Sequence, residues 1–345
     1  MDFSMVFMWL GFALAAYSVV GNDVIQTLGT FLTSNEKDVK WYYLFAFAAT
    51  ILTIVLIMGF LNNDITYGRL DKFEEMPLYR WYHIIPPIVL LLITRYGIPV
   101  STTFMILTLF SLSDIPNDLS VMVANIFDAK TKLGGMIQKS VMGYVVAFFV
   151  ALIGYFTLLN FTEQYFLRKK MNGSQEIFWK IAQAASTGFL WSQWLVQDLA
   201  NIYVYMNNGK NLTAFQFFLT LVILNGMMLI IFYQRGGKVQ DVVRKKRNTA
   251  DIRAATFIDL IYGVILYVFK DDYFGLWGGK IPMSTTWVFV GLLAGREIAL
   301  QVMSHRTLPK KTTKMLYLDL GKIFFGLVIS VILVIGIKFL STSVS

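Results

Sequence analysis

Blocks of apolar residues alternate along the chain with short polar connectors. Residues 41–60 and 323–340 each come close to the roughly 20 residues that carry a helix across a hydrocarbon layer. A transmembrane barrel would instead need segments of about 10 residues that alternate apolar and polar positions, so helices are the expected spans. Residues 3–20 are apolar and run directly into Gly21, Asn22, Asp23, Val24, Ile25 and Gln26, which predicts a helix with a polar interruption. After the clean span 41–60 comes a charged connector, 61–80. Two short apolar pieces follow, 81–94 and 98–112, separated by Arg95, Tyr96 and Gly97. Each is short for a crossing, which predicts a re-entrant hairpin. A span over 136–161 ends the first half.

The second half repeats this order. Residues 177–205 form a helix interrupted by Gln193, Gln197, Asp198 and Asn201, and 212–233 is a clean span. A second pair of pieces, 254–269 and 281–300, precedes the span 323–340. An odd number of crossings in each half turns the second half upside down relative to the first. The expected fold is an all-α polytopic membrane protein of two inverted-topology repeats, each with three transmembrane helices and one re-entrant helical hairpin. The first repeat covers 1–161 with its hairpin at about 81–112, and a cytoplasmic linker covers 162–176. The second repeat covers 177–345 with its hairpin at about 254–300.

Composition supports the membrane assignment: 56% of residues are hydrophobic, 16% aromatic and only 15% charged. The net charge of +9 sits in connectors, where it reads as orientation rather than nucleic-acid binding. With re-entrant hairpins, one side of the membrane collects 17 Lys and Arg residues and the side holding the termini collects 7. That excess places the long loops in the cytoplasm and both termini outside a cell inner (plasma) membrane. Asp2 precedes the first block with no basic flank, so the block reads as a retained helix rather than a leader. The chain has no cysteine and only His83 and His305, which argues against a thiol nucleophile or a zinc site.

Two features carry candidate chemistry. Pro99, Val100, Ser101, Thr102 and Thr103 recur as Pro282, Met283, Ser284, Thr285 and Thr286. A proline opening a half-helix leaves the next N–H groups unsatisfied, and the hydroxyls add donors beside that positive end, a natural place for an oxyanion. An N-cap without a ligand is the plainer alternative. The second feature pairs Asn22, Asp23 and Gln26 with Gln197, Asp198 and Asn201: an amide, a carboxylate, then an amide three residues later. A carboxylate at membrane depth costs at least about 2.5 kcal/mol, and the amides offer oxygens to a hard cation such as sodium. Helix-to-helix hydrogen bonding is the plainer alternative here. Arg95 and Lys280 precede the paired prolines and are expected near the hairpin tips, to assist an anion or else to pair with Asp271 or Asp272. Arg296 and Glu297 read as a structural pair, and Arg244, Lys245, Lys246 and Arg247 as a topology signal.

These motifs resemble the inorganic phosphate transporter (PiT) family of cation-coupled permeases. Its signature is Gly-x-Asn-Asp-Val-Ala-Asn followed by Gly-Thr or Gly-Pro, with a Pro-Val-Ser-Thr-Thr-His hairpin later in each repeat. Asn22, Asp23, Val24, Gln26, Gly29 and Thr30 match or nearly match the first element, and Gln197, Asp198, Ala200 and Asn201 match its repeat more weakly. Pro99 to Thr103 and Pro282 to Thr286, with Gly291 and Gly295, fit the hairpins. The resemblance implies inverted repeats, with sodium at Asp23, Asp198 and their amides, and phosphate at Ser101, Thr102, Thr103, Ser284, Thr285 and Thr286. The histidine after each Ser-Thr-Thr is replaced by Phe104 and Trp287, Gln26 stands where asparagine is usual, and Trp194 enters the second signature.

The expected function is secondary active transport of inorganic phosphate coupled to sodium or protons by alternating access. A related oxyanion such as sulfate, or an uncoupled anion channel, is the alternative. An intramembrane enzyme is less favoured, because no histidine or cysteine falls at depth beside a carboxylate. No cofactor is expected beyond sodium as a coupling ion. The expected partners are an inorganic oxyanion and the lipid bilayer, with a homodimer as a possible assembly and no nucleic acid.

Overall fold

The structure, a computed structural model, describes residues 3–35, 38–76, 78–96, 98, 100–114, 121, 124, 128–159, 165–166, 169, 171–234, 251–276, 279–305 and 310–344. Pro99 and the basic run 244–247 lie outside the described residues.

The described residues fold into helices. They are α1 (Ser4–Val19), α2 (Ile25–Asn35), α3 (Trp41–Leu61), α4 (Ile85–Arg95), α5 (Thr102–Leu107), α6 (Lys132–Gly154), α7 (Gly173–Asp198), α8 (Ala200–Tyr203), α9 (Ala214–Tyr233), α10 (Ile252–Lys270), α11 (Thr285–His305) and α12 (Lys310–Val344). Helix starts follow the local chemistry. Thr131 caps α6 by accepting from the Gly134 N–H at 3.0 Å, and Asp251 caps α10 by accepting from the Arg253 N–H at 2.9 Å. Asn172 with Gln175, and Thr213 with Gln216, form reciprocal capping boxes at the starts of α7 and α9.

Among the described residues, seven helices are long and apolar enough to cross a membrane: Ser4–Val24, Trp41–Leu61, Lys132–Thr157, Ala214–Tyr233, Ile252–Lys270, Thr285–Met303 and Thr312–Leu340. The described elements are all helical, and the seven long apolar helices are consistent with a multi-pass membrane protein. The set differs in part from the one the hydrophobic pattern predicts. The pieces at 254–269 and 281–300, expected as hairpin halves, belong to helices long enough to span. Helix α7, expected as a crossing, is not among the seven. Its 26 residues include Gln175, Glu176, Lys180, Gln183, Gln193, Gln197 and Asp198, which dilute its apolar content.

Burial separates these helices. The most apolar stretches of Ile252–Lys270 and Thr285–Met303 are 67% and 78% buried, whereas the other five spans lie between 28% and 39%. Helices α10 and α11 thus occupy the centre, α10 packed along α7 and α11 along α6. Gly291 and Gly295 make the second contact possible: a Cβ at either position would collide with the backbone carbonyl oxygen of Tyr144 or Phe148. Such close approach of backbones through small residues is a common way for helices to associate where lipid removes the hydrophobic drive. In the first half the corresponding pieces stay short. Helix α4 has 11 residues, α5 has 6, and a 3₁₀ turn over Leu109–Asp114 follows.

Candidate functional site

Both carboxylates sit where their helices break. The five residues Val20–Val24 widen into a π-helical turn between α1 and α2, and Asp23 lies inside it. Such turns shift side chains off the regular helical track and occur often at functional positions. Asp198 closes α7, and the chain restarts as the short α8 at Ala200. Asp23 and Asp198 are buried to 1% and 0% exposure, close enough for each to feel the other's charge.

The two Ser-Thr-Thr segments meet these carboxylates. Ser101 caps α5, accepting from the Phe104 N–H at 3.2 Å, and so fixes Thr102 and Thr103 on the first turn. Thr102 donates to Asp23 Oδ2 at 2.6 Å, and Asn22 Nδ2 donates to Asp23 Oδ1 at 2.6 Å. Asn201 Nδ2 binds the second carboxylate to the first segment: it donates to Asp198 Oδ1 at 2.8 Å and to the hydroxyls of Thr102 and Thr103 at 3.0 and 3.3 Å. In the second segment Ser284 receives the Trp287 N–H at 3.4 Å, and the Ser284 N–H donates to Ser140 of α6 at 2.8 Å. The Thr285 hydroxyl is directed at Asp198 without closing a bond to its Oδ2 atom.

A reciprocal pair of bonds joins the segments. Thr103 donates to the Met283 carbonyl at 3.2 Å, and Thr286 donates to the Val100 carbonyl at 3.1 Å. Each is the third hydroxyl of its own segment reaching the residue after the other's proline. Asn22 Nδ2 shares the Val100 carbonyl at 2.7 Å. Phe104 and Trp287, the residues that follow the two segments, touch edge to face with ring centres 5.9 Å apart.

Several buried oxygens in this cluster have no hydrogen-bond partner among the described residues: Asn22 Oδ1, Gln26 Oε1, Thr27 Oγ1, Gln197 Oε1, Asp198 Oδ2 and Asn201 Oδ1. Each such group costs about 1–3 kcal/mol in a protein interior. These oxygens neighbour the two carboxylates along the chain and are of the kind a hard cation takes, while Gln26 Nε2, Trp194 Nε1 and Trp287 Nε1 are unpartnered there too.

Of the residues expected to contribute, Asn22, Asp23, Gln26, Ser101, Thr102, Thr103, Gln197, Asp198, Asn201, Ser284, Thr285 and Thr286 are all buried. Gln197 Nε2 turns away to the Leu266 carbonyl at 3.0 Å. Arg95 and Lys280 are exposed and stand outside the cluster; Lys280 faces Asp271 at 3.7 Å. Arg296 lies over the Tyr155 ring at 5.3 Å, and Glu297 accepts from Gln301 Nε2 at 2.8 Å.

Asp259, Arg69 and Lys139 are among the buried ionisable residues that the sequence reading does not single out. Asp259 of α10 is 1% exposed and accepts from Thr30 and, at 2.6 Å, from Thr187. An aspartate inside the apolar run 254–269 is its sequence signal. Arg69 and Lys139 are 1% and 0% exposed, although Arg69 falls in a stretch that reads as connector and Lys139 at the very edge of the predicted span 136–161. Burial lowers the Arg69 pKa to about 10, which leaves it charged at neutral pH. The chain matches no family model, and comparisons with curated proteins and with solved structures likewise find no match.

Proposed function

We propose that this chain is a secondary transporter that moves an inorganic oxyanion, phosphate foremost, together with sodium by alternating access. In this reading the chain resembles the inorganic phosphate transporter (PiT) family and is built from two inverted repeats. The observation that carries the reading is the cluster of unpartnered oxygens about Asp23 and Asp198, deep among membrane helices. A soluble protein can leave such atoms to water, but lipid offers none, so a bound cation is the natural partner. The reciprocal bonds Thr103 to Met283 and Thr286 to Val100 support the repeat assignment, because a two-fold relation produces contacts in such pairs. Sodium held there would bring positive charge beside both Ser-Thr-Thr segments and favour an anion at the same centre.

The test is uptake of labelled phosphate into liposomes containing the purified protein, with and without an inward sodium gradient. Accumulation above the external concentration only with the gradient is the expected result. Equilibration without accumulation, or unitary currents, would assign a channel instead, and turnover of lipid without uptake would assign an enzyme. Running sulfate beside phosphate in the same assay identifies the anion.

A further inference from the structure

We propose that Arg69 and Lys139 form a buried cradle for a dianionic oxyanion, hydrogen phosphate or sulfate, beside the 281–284 stretch that leads into α11. The purpose of this cradle rests on the transporter reading above; its test does not.

The turn before Arg69 is built to send that residue inward. Asp64 accepts from the Thr66 N–H at 3.1 Å, the Thr66 hydroxyl at 2.9 Å and the Gly68 N–H at 2.6 Å. Gly68 adopts φ +77°, and a Cβ there would meet Asp71 Oδ2 at 3.0 Å and the Lys280 side chain at 3.1 Å. The guanidinium that follows is buried, and none of Nε, Nη1 and Nη2 has a hydrogen-bond partner among the described residues. Lys139 approaches from α6. Its Nζ donates to the Ile281 carbonyl at 3.0 Å, and the next residue, Ser140, takes the Ser284 N–H at 2.8 Å.

Gly68, next to Arg69, lies against the Lys280 side chain, and Lys139 binds the carbonyl of the following residue, Ile281, so the two basic residues flank one short stretch. A buried guanidinium with no bonded donor is stable only with an anion beside it, and a second basic residue nearby adds to the attraction. None of the carboxylates within electrostatic reach, Asp198, Asp271 and Asp272, closes a hydrogen bond with the Arg69 guanidinium. Asp271 faces Lys280 and accepts from the Tyr273 hydroxyl at 3.2 Å, and Asp272 accepts from the Leu276 and Gly279 N–H groups at 2.8 and 3.0 Å. Asp198 takes Asn201 and Thr103. A guanidinium fork grips two oxygens of one anion and an ammonium a third, so a dianion with several equivalent oxygens satisfies both.

The experiment measures phosphate affinity of the purified protein by equilibrium binding of labelled phosphate, and sodium affinity separately by thermal shift without phosphate. Arg69→Gln and Lys139→Met should each weaken phosphate binding about ten- to a hundredfold. Sodium affinity should stay equal or rise, since each change removes a positive charge. Arg69→Lys, which keeps the charge but loses the fork, should fall in between and serves if Arg69→Gln does not fold. Wild-type phosphate affinity in the folded variants, a parallel loss of sodium affinity, or a wild type that binds neither phosphate nor sulfate would each overturn the cradle. A wild type that binds phosphate yet accumulates none against a sodium gradient sinks the transporter reading and leaves the cradle intact.

Discussion

Asp23 and Asp198 share one sequence setting, an amide before and an amide three residues after, yet their oxygens are used differently. Both oxygens of Asp23 accept bonds of 2.6 Å, from Asn22 and from Thr102. Asp198 receives Asn201 at 2.8 Å and Thr103 at 3.4 Å on a single oxygen, and its Oδ2 is unpartnered among the described residues. The first carboxylate is tied into the fold, and the second keeps a strong acceptor in reserve. Identical residue patterns therefore do not imply equivalent sites: the neighbours that arrive from other helices decide which oxygen stays open.

The sharpest way to break this contrast is to neutralise each carboxylate without changing its shape. Asp198→Asn should lower sodium-dependent uptake by at least about a hundredfold, because it removes the open charged acceptor. Its melting temperature should stay near the wild-type value. Asp23→Asn should also impair uptake, but it loses the Thr102 bond to a charged group and should cost about 1.5–3 kcal/mol of stability. Equal melting temperatures for the two variants would erase the difference between the sites.

The next effect concerns the segments themselves. Thr103→Val removes contacts to Met283, Asp198 and Asn201, whereas Thr286→Val removes only the one to Val100. We expect about 1–3 kcal/mol for the first and about 1 kcal/mol for the second by chemical denaturation. The reverse order would mean that the second segment, not the first, holds the centre together. Gly295→Ala tests the second half alone: its Cβ would strike the Phe148 carbonyl, so about 1–3 kcal/mol should be lost as α11 is pushed off α6.

The smallest effects belong to the charges outside the cluster. Lys280→Gln loses an exposed pair with Asp271 and should cost under about 1 kcal/mol, and Arg95→Gln should leave uptake unchanged. A large loss of uptake in either would bring that residue back into the site.

Much of the helical layout can be read from the chain, because lipid imposes length and polarity directly. The interruptions at Asp23 and Asp198 are legible for the same reason, and the structure has breaks at both, a π-helical turn and the α7–α8 junction. The second pair of apolar pieces misleads. Residues 254–269 look short because the helix that contains them extends to Ile252 and Lys270, using capping and polar residues that hydropathy does not count. Arg69 is hidden by its company, since Asp64, Asp71, Lys72, Glu74 and Glu75 make its connector look solvated throughout. Lys139 is hidden by a boundary: it stands at the edge of the predicted span 136–161, where a lysine reads as the end of a crossing, whereas α6 begins seven residues before it at Lys132. Both contribute to the 7 basic charges of the side that holds the termini, although neither is at a surface. Long-range packing buries them, and no window of neighbouring residues encodes it.

The crossed bonds between Thr103 and Met283 and between Thr286 and Val100 have a dynamic consequence. Two neutral hydrogen bonds are together worth only about 1–3 kcal/mol. Parting the two chain segments along that seam is therefore a thermal event, populated at somewhere between about one and twenty per cent if nothing else resists it. Because each strand of the seam supplies one donor and one acceptor, neither can leave while the other stays bonded. The centre is thus stitched like a double-sided clasp, firm enough to set a resting shape and weak enough for a single bound ion to tip.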